Sequence, residues 1–313
     1  MFFVNKIMSS INYIVLFQSL SKYGIFIYIK WFILFVGGDK VTLTKSDYYY
    51  LEKIKTWEKE LANHQSSNVK IYRKYMELGL SFLPETAKEQ IYMLLDSSLF
   101  HFHSILFNST FQKNTADKLI ESARLFNEDI VQLEEMKTLT SDQLYSIAKQ
   151  QIAYYRLFAF GQGAASGSGK TSFLLSDLLA VLAINLRSIQ VIASIYGRPA
   201  NSPYEIMTVL KVFHAACLPK MLQKEAWHQL MAELDNYREE FFYKGTEEIM
   251  DEHVFSLLLK QSIKMILILH FSKKSPYFSI LLGGGANYQF TKKITDFAHK
   301  YYQKSYLDLK NSS

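Results

Sequence analysis

From Thr44 onward, apolar residues recur at helical spacing and turn signals punctuate the chain at short intervals. Ser46–Asn63 places Tyr50, Ile54, Trp57 and Leu61 on one stripe of a charged segment, the pattern of a helix with a single face on a core. Leu83-Pro84-Glu85 opens a second helix, because proline suits a first turn and an acid suits the positive end of the helix dipole. It continues through Ile91, Leu94, Leu95, Leu99 and Phe102. A third helix is predicted over Thr115–Lys137, with Leu119, Ile120, Leu125, Ile130 and Leu133. Thr140 and Gln143 have capping-box spacing at the head of a fourth, which runs from Ser141 through Phe160. The fifth, Ser172–Ile195, carries large aliphatics on nearly every side, and a helix apolar all round is buried in protein or lipid. Ser202-Pro203-Tyr204-Glu205 combines a capping box with proline at the first helical position, and Pro219 restarts the chain. Glu247–Phe271 is amphipathic with a very apolar end, and Gly283–Gly285 forms a hinge before a last helix to about Leu309. No βαβ rhythm or fixed-period repeat occurs. The expected fold is therefore all-α, a multi-helix bundle around the central helix 172–195.

The junction before that central helix carries the only nucleotide-binding motif the sequence suggests. Gly169-Lys170-Thr171 matches the end of a Walker A loop, whose backbone N–H groups cradle phosphates while lysine and hydroxyl serve the phosphates and Mg²⁺. The first glycine of that pattern falls at Ala164, with Gly163 one place too early. A Walker A loop also follows a strand, whereas a helix is predicted here. The favoured reading is a small-residue junction, Gly163-x-x-x-Gly167, where missing side chains let helices approach closely. Within the central helix Asp177, Asn185 and Arg187 interrupt the apolar surface. Burying them requires partners, so a buried polar pair of Asp177 with Arg187, or a cluster joined by Asn287, is expected.

Gly161-x-Gly163-x-x-x-Gly167, Asp177-Leu, Arg187-x-Ile189 and Ile192-Ala193-x-x-Tyr196-Gly197 together resemble the EcsC protein family. A second block, Gly283-Gly-Gly285-Ala-Asn287-Tyr288 with Ala298 and Tyr301-Tyr302, is similar to that family's C-terminal glycine and asparagine pattern. The resemblance covers roughly residues 80–308. Lys170-Thr171 departs from it, standing where relatives carry apolar or small residues. The resemblance implies a protein encoded beside a bacterial ABC transporter, whose ATPase or membrane subunit is the expected partner. It supplies no catalytic residues. It makes the two glycine blocks, Tyr196 and Gly197 the residues of interest, with close helix packing against each other or against lipid as their expected work.

Composition narrows the compartment. The chain has 313 residues, 49% of them hydrophobic. Cys217 is the single cysteine, which excludes an intramolecular disulfide and suits a reducing cytosol. Its apolar surroundings predict a buried, inert thiol. The net charge of +6 is mild, and basic residues are mixed with acidic ones, unlike the concentrated basic face of a nucleic-acid binder. Short basic clusters, Lys260 with Lys264, Lys273-Lys274 and Lys292-Lys293, are expected on solvated surface, with an anionic membrane face as the functional alternative. The expected location is the cytoplasm or the inner face of the membrane, with a membrane-embedded helical protein as a further alternative.

Residues 1–40 form an apolar N-terminal extension, distinct from the family-like domain 41–313. Gly24–Val36 is shorter than the ~20 residues needed to span a bilayer. Gly37-Gly38-Asp39 can be encoded by a strong ribosome-binding site, so translation is expected to start at Val41. Loss of Lys6, Lys22, Lys30, Lys40 and Asp39 would lower the net charge from +6 to +3.

Other chemistry is poorly supported. His101 and His103 point roughly 200° apart on a helix and cannot share an ion. No His-Glu-x-x-His or cysteine pair occurs, so no metal is expected. Gly167-Ser-Gly lies in the small-residue junction, not in a nucleophile elbow. Glu134-Glu135 and Glu239-Glu240 are adjacent pairs on different helical faces, not catalytic dyads. The expectation is a non-enzymatic protein without a cofactor, with Mg-ATP at Gly169, Lys170 and Thr171 as the alternative.

Overall fold

The computed structural model describes residues 43–63, 109–166, 173–240 and 284–312. Among them are seven α-helices and one short 3-10 helix, with no strand. They are α1 (Lys45–Asn63), α2 (Ser109–Arg124), the 3-10 helix (Leu133–Thr138), α3 (Ser141–Ser166), α4 (Phe173–Ile195), α5 (Pro203–Cys217), α6 (Lys220–Glu240) and α7 (Gly284–Ser312). The chain divides into two compact units, Thr44–Asp308 and Met1–Leu43 with Leu309–Ser313, and the helical bundle is the first of them. The expected extension 1–40, the helices predicted from Pro84 to Phe102 and over Glu247–Phe271, and Gly167, Gly169, Lys170, Thr171 and Gly283 lie outside the described residues.

Helix α4 is the centre, as its all-round apolarity predicts. It packs on α2, α3, α5 and the 3-10 helix, and its pairing with α3 is the most extensive among the described elements. From Val181 to Tyr196 almost every residue is buried, polar Asn185, Ser188 and Ser194 included. Those three turn inward on their own helix: Asn185 donates to the Val181 carbonyl, Ser188 to Asn185 and Ser194 to Gln190. Such local bonds let small polar groups enter a core without a tertiary partner.

Helix α1 starts with a capping box in which the Thr44 amide donates to Asp47 Oδ2 and the Asp47 amide to Thr44 Oγ1. The predicted stripe is its buried side. Tyr50, Ile54 and Leu61 are buried, and Trp57 packs half-buried against the core. Trp57, Trp227 and Phe297 meet edge to face at centroid distances of 4.8–5.8 Å, joining α1, α6 and α7. The Thr140–Gln143 box also forms, and α1 holds the same helix end: Ser141 donates to buried Asp47, and the Tyr50 hydroxyl donates to Asp142.

The predicted helix Thr115–Lys137 does not run through. Helix α2 ends at Arg124, where the Phe126 and Asn127 amides both return to the Ala123 carbonyl and Asn127 Oδ1 accepts from the Asp129 amide. The asparagine offers the backbone a turn in place of the next helical bond. Leu125, expected inside, is 85% exposed, while Ile130 is buried.

Candidate functional site

The motif Ile192-Ala193-x-x-Tyr196-Gly197 ends α4. The Gly197 amide donates to Ser194 and the Arg198 amide to Ala193, the paired bonds of a Schellman turn. Gly197 has φ +71°, a conformation that favours glycine, and a Cβ there would lie 3.2 Å from Lys137 Cβ. The turn sends the next residue, Arg198, back into the bundle.

Arg198 is buried against α5 and α7. Its Nε donates to Glu205 Oε1 at 2.9 Å, its Nη1 donates to Ser305 Oγ at 2.9 Å, and its guanidinium lies 5.5–5.9 Å from the rings of Tyr204, Tyr301 and Tyr302. The Arg198–Glu205 bond is single, since Arg198 Nη2 and Glu205 Oε2 make no hydrogen bond. Burial pushes the Glu205 carboxyl above its usual range, a push the facing guanidinium only partly offsets. Arg198 stays protonated. The capping box predicted at Ser202 is consequently half-made: Ser202 accepts from the Glu205 amide, but the Glu205 side chain goes to Arg198 instead of back to the cap.

Nearby, the Tyr196 hydroxyl sits 2.8 Å from His299 Nε2, and the imidazole lies tilted against the Tyr145 ring at 5.4 Å. Burial drives the His299 pKa down to about 3, so the ring is neutral; burial also holds the Tyr196 hydroxyl protonated.

At the opposite end of α7, the two glycine blocks meet. A Cβ on Gly163 would lie 2.5 Å from Asn287 Nδ2 and 3.1 Å from Gly284 Cα, and one on Gly284 would lie 2.4 Å from the Phe160 carbonyl oxygen. Backbone here approaches backbone because the side chains are absent. Asn287 is fully buried and donates to Gln162 Oε1. Gly161 and Gly285 have open space around them and take no part in the seam.

Arg187 and Asn287 find different neighbours. Arg187 lies over the Phe111 ring at 4.5 Å on the side of α4 that faces α2, with its Nε buried and unbonded. Asp177 lies on the first half of α4, but its side chain is outside the described residues. On the same side as Arg187, a groove of about 390 Å³ runs between α2, the 3-10 helix and the turn after Gly197, lined among others by Phe111, Leu133, Ser194 and Asn201. Its mixture of polar and apolar walls suits a small amphipathic group or a partner's side chain.

The glycine junction follows a helix, because α3 continues through Gly161 and Gly163 to Ser166. The strand that a phosphate-binding loop follows is not what precedes these glycines. Cys217 is buried, and burial pushes its thiol up to about 12, which disfavours the reactive thiolate. No cluster of three or more metal-ligating side chains occurs among the described residues, and no described helix is long and apolar enough to cross a membrane. Lys293, expected on the surface, is half-buried and caps α5 by donating to the Cys217 and Leu218 carbonyls. Sequence reasoning did not single out Arg198, His299 or Ser305, and took Glu205 only as part of the Ser202 capping box. The available signal was an arginine directly after a helix-ending glycine, with an acid seven residues on.

A sequence profile of the EcsC protein family matches residues 49–307. No curated protein and no solved structure matches the chain.

Proposed function

From the premise that this chain belongs to the EcsC protein family, we infer that it is a non-enzymatic accessory protein of a bacterial ABC transporter, acting in the cytoplasm or peripherally on the inner face of the membrane. One observation carries the non-enzymatic half of the reading. Four of the motif residues with described surroundings shape the packing: Gly163 and Asn287 seat α3 against α7, and Tyr196 with Gly197 closes α4 and delivers Arg198. The transporter half rests on the family resemblance. The alternative, Mg-ATP held by Gly169, Lys170 and Thr171, is disfavoured by the helix that leads into those residues.

The test is affinity purification of the tagged full chain from its native cells, with transporter activity measured in a strain lacking the gene. Co-purification of the ATPase or membrane subunit, with altered transport in the deletion strain, is expected. Neither partner recovered and unchanged transport would end the reading. In parallel, saturable Mg-ATP binding that disappears in Lys170→Ala would move the assignment to the nucleotide-binding alternative.

A further inference from the structure

The outward side of α3 changes character halfway along. Its first half shows solvent Asp142, Ser146, Lys149 and Gln150. Its second half shows Tyr154, Leu157, Phe158 and Phe160, each between 48% and 65% exposed, with exposed Ala153 before and Ala164 beyond them. Tyr154 and Phe158 stack on each other at 6.2 Å, so part of the aromatic surface is ordered while facing outward. From Ala153 to Ala164 the apolar strip is about 17 Å long at the helical rise. Apolar surface this contiguous on a helix marks an interaction face.

The charge pattern indicates what covers it. No acidic residue occurs between Asp142 and Asp177, a stretch that contains Lys149, Arg156 and Lys170. The glycine seam puts the start of α7 beside the same end of α3, and no acidic residue occurs between Glu252 and Asp296 in the sequence entering and beginning α7. Asp296, the first acid met along α7, is engaged by Arg156 at 2.7 Å and Lys292 at 3.5 Å. Where the second half of α3 meets the start of α7, neither helix carries a carboxylate before Asp296, and α3 presents aromatic rings outward. A protein partner's surface would mix charges of both signs, whereas an anionic lipid surface rewards the absence of carboxylates along the whole contact. Aromatic side chains also partition to the headgroup boundary.

We propose that the Tyr154–Ala164 face of α3 docks on an anionic phospholipid surface, with Tyr154, Leu157, Phe158 and Phe160 at the headgroup boundary and Lys149 over the phosphates. This deepens the peripheral reading above and supplies the contact it needs.

The experiment is flotation of the full chain with vesicles of equimolar phosphatidylglycerol and phosphatidylcholine, against phosphatidylcholine alone. Binding to the anionic vesicles only is expected. Leu157→Glu with Phe158→Glu should weaken it by about tenfold or more, because both side chains are exposed and the substitution removes apolar contact. Lys149→Glu should weaken it about fivefold and leave less salt dependence. An independent readout avoids reliance on those variants. With Cys217 buried, an environment-sensitive dye on Ala164→Cys should shift to the blue on adding anionic vesicles, while the same dye on Ser146→Cys should not. Absence of anionic-vesicle binding, equal binding by the double glutamate variant, or equal shifts at both dye positions would overturn the proposal. If the double variant keeps vesicle binding but loses co-purification with the transporter, the face docks a protein: the lipid proposal fails and the accessory function stands.

Discussion

The two ends of α7 are joined to the rest of the bundle by opposite means. At Gly284 the helix meets α3 because side chains are missing, and backbone lies against backbone. At Ser305 it meets α4 and α5 through a buried guanidinium, a carboxyl and a group of tyrosines. The first end tolerates no added atom but contains no charge. The second tolerates charge only because both partners are present. One is specified by shape, the other by pairing, and the two should fail differently.

The largest effect is expected at the paired end. Arg198→Ala leaves the Glu205 carboxyl buried without its cation and should cost about 3–5 kcal/mol of unfolding free energy in urea titration. Replacing both Arg198 and Glu205 by methionine should recover most of that loss, since a buried pair is often no more stable than apolar groups of similar volume. If the double variant is as unstable as the single one, charge pairing is not what distinguishes this end.

At the glycine end, Gly284→Ala should cost about 2–3 kcal/mol, because its Cβ falls 2.4 Å from the Phe160 carbonyl oxygen and two backbones must separate. Gly161→Ala, two residues from the seam but with nothing within 4 Å, should instead stabilise by about 0.5–1 kcal/mol through helix propensity. Equal responses at the two positions would show that the glycines act through backbone entropy and not through fit.

A smaller, pH-graded effect should mark the Arg198 end alone. His299 has a folded pKa of about 3 against an ordinary 6.5, so the unfolded chain takes up the proton first. Its contribution is therefore intact above about pH 6.5 and is lost progressively as pH falls towards 3, by up to about 1.4 kcal/mol per pH unit. Lys300, Lys149 and Arg156 oppose protonation and Asp296 favours it, but desolvation is the largest cause. Unfolding free energies measured from about pH 7.5 to 5 should fall less steeply in His299→Gln than in the native chain. Half-buried His214, whose pKa desolvation also depresses, would account for slope that remains. Identical slopes in the two proteins would remove His299 from the account.

What could be read from the sequence was what is local. The Thr140–Gln143 box, the stripe Tyr50–Ile54–Trp57–Leu61 and the all-round apolarity of 172–195 each depend on spacings within a few residues, and each corresponds to an observed feature. The close approach of the two glycine blocks was among the expectations because glycine marks backbone contact even when its partner is far along the chain. The failures share a different cause. Helix α2 stops at Arg124 because Asn127 bonds to nearby backbone more favourably than the apolar period suggests. Glu205 satisfied a local pattern but was taken by Arg198, which the helix-ending turn at Gly197 directs back across the helix boundary. Lys293 looked like surface charge until α5 was placed above it. Arg187 lies over a ring on α2, and the side chain of Asp177, with which a polar pair was expected, is outside the described residues.

The diversion of Glu205 has an evolutionary consequence. Positions 198 and 205 form one heritable character, because neither charge is tolerable inside the bundle alone. A lineage that loses the basic residue must surrender the acid with it, or return that acid to the neighbouring serine it abandoned. In related chains the two columns should change together, although seven residues and a helix boundary separate them.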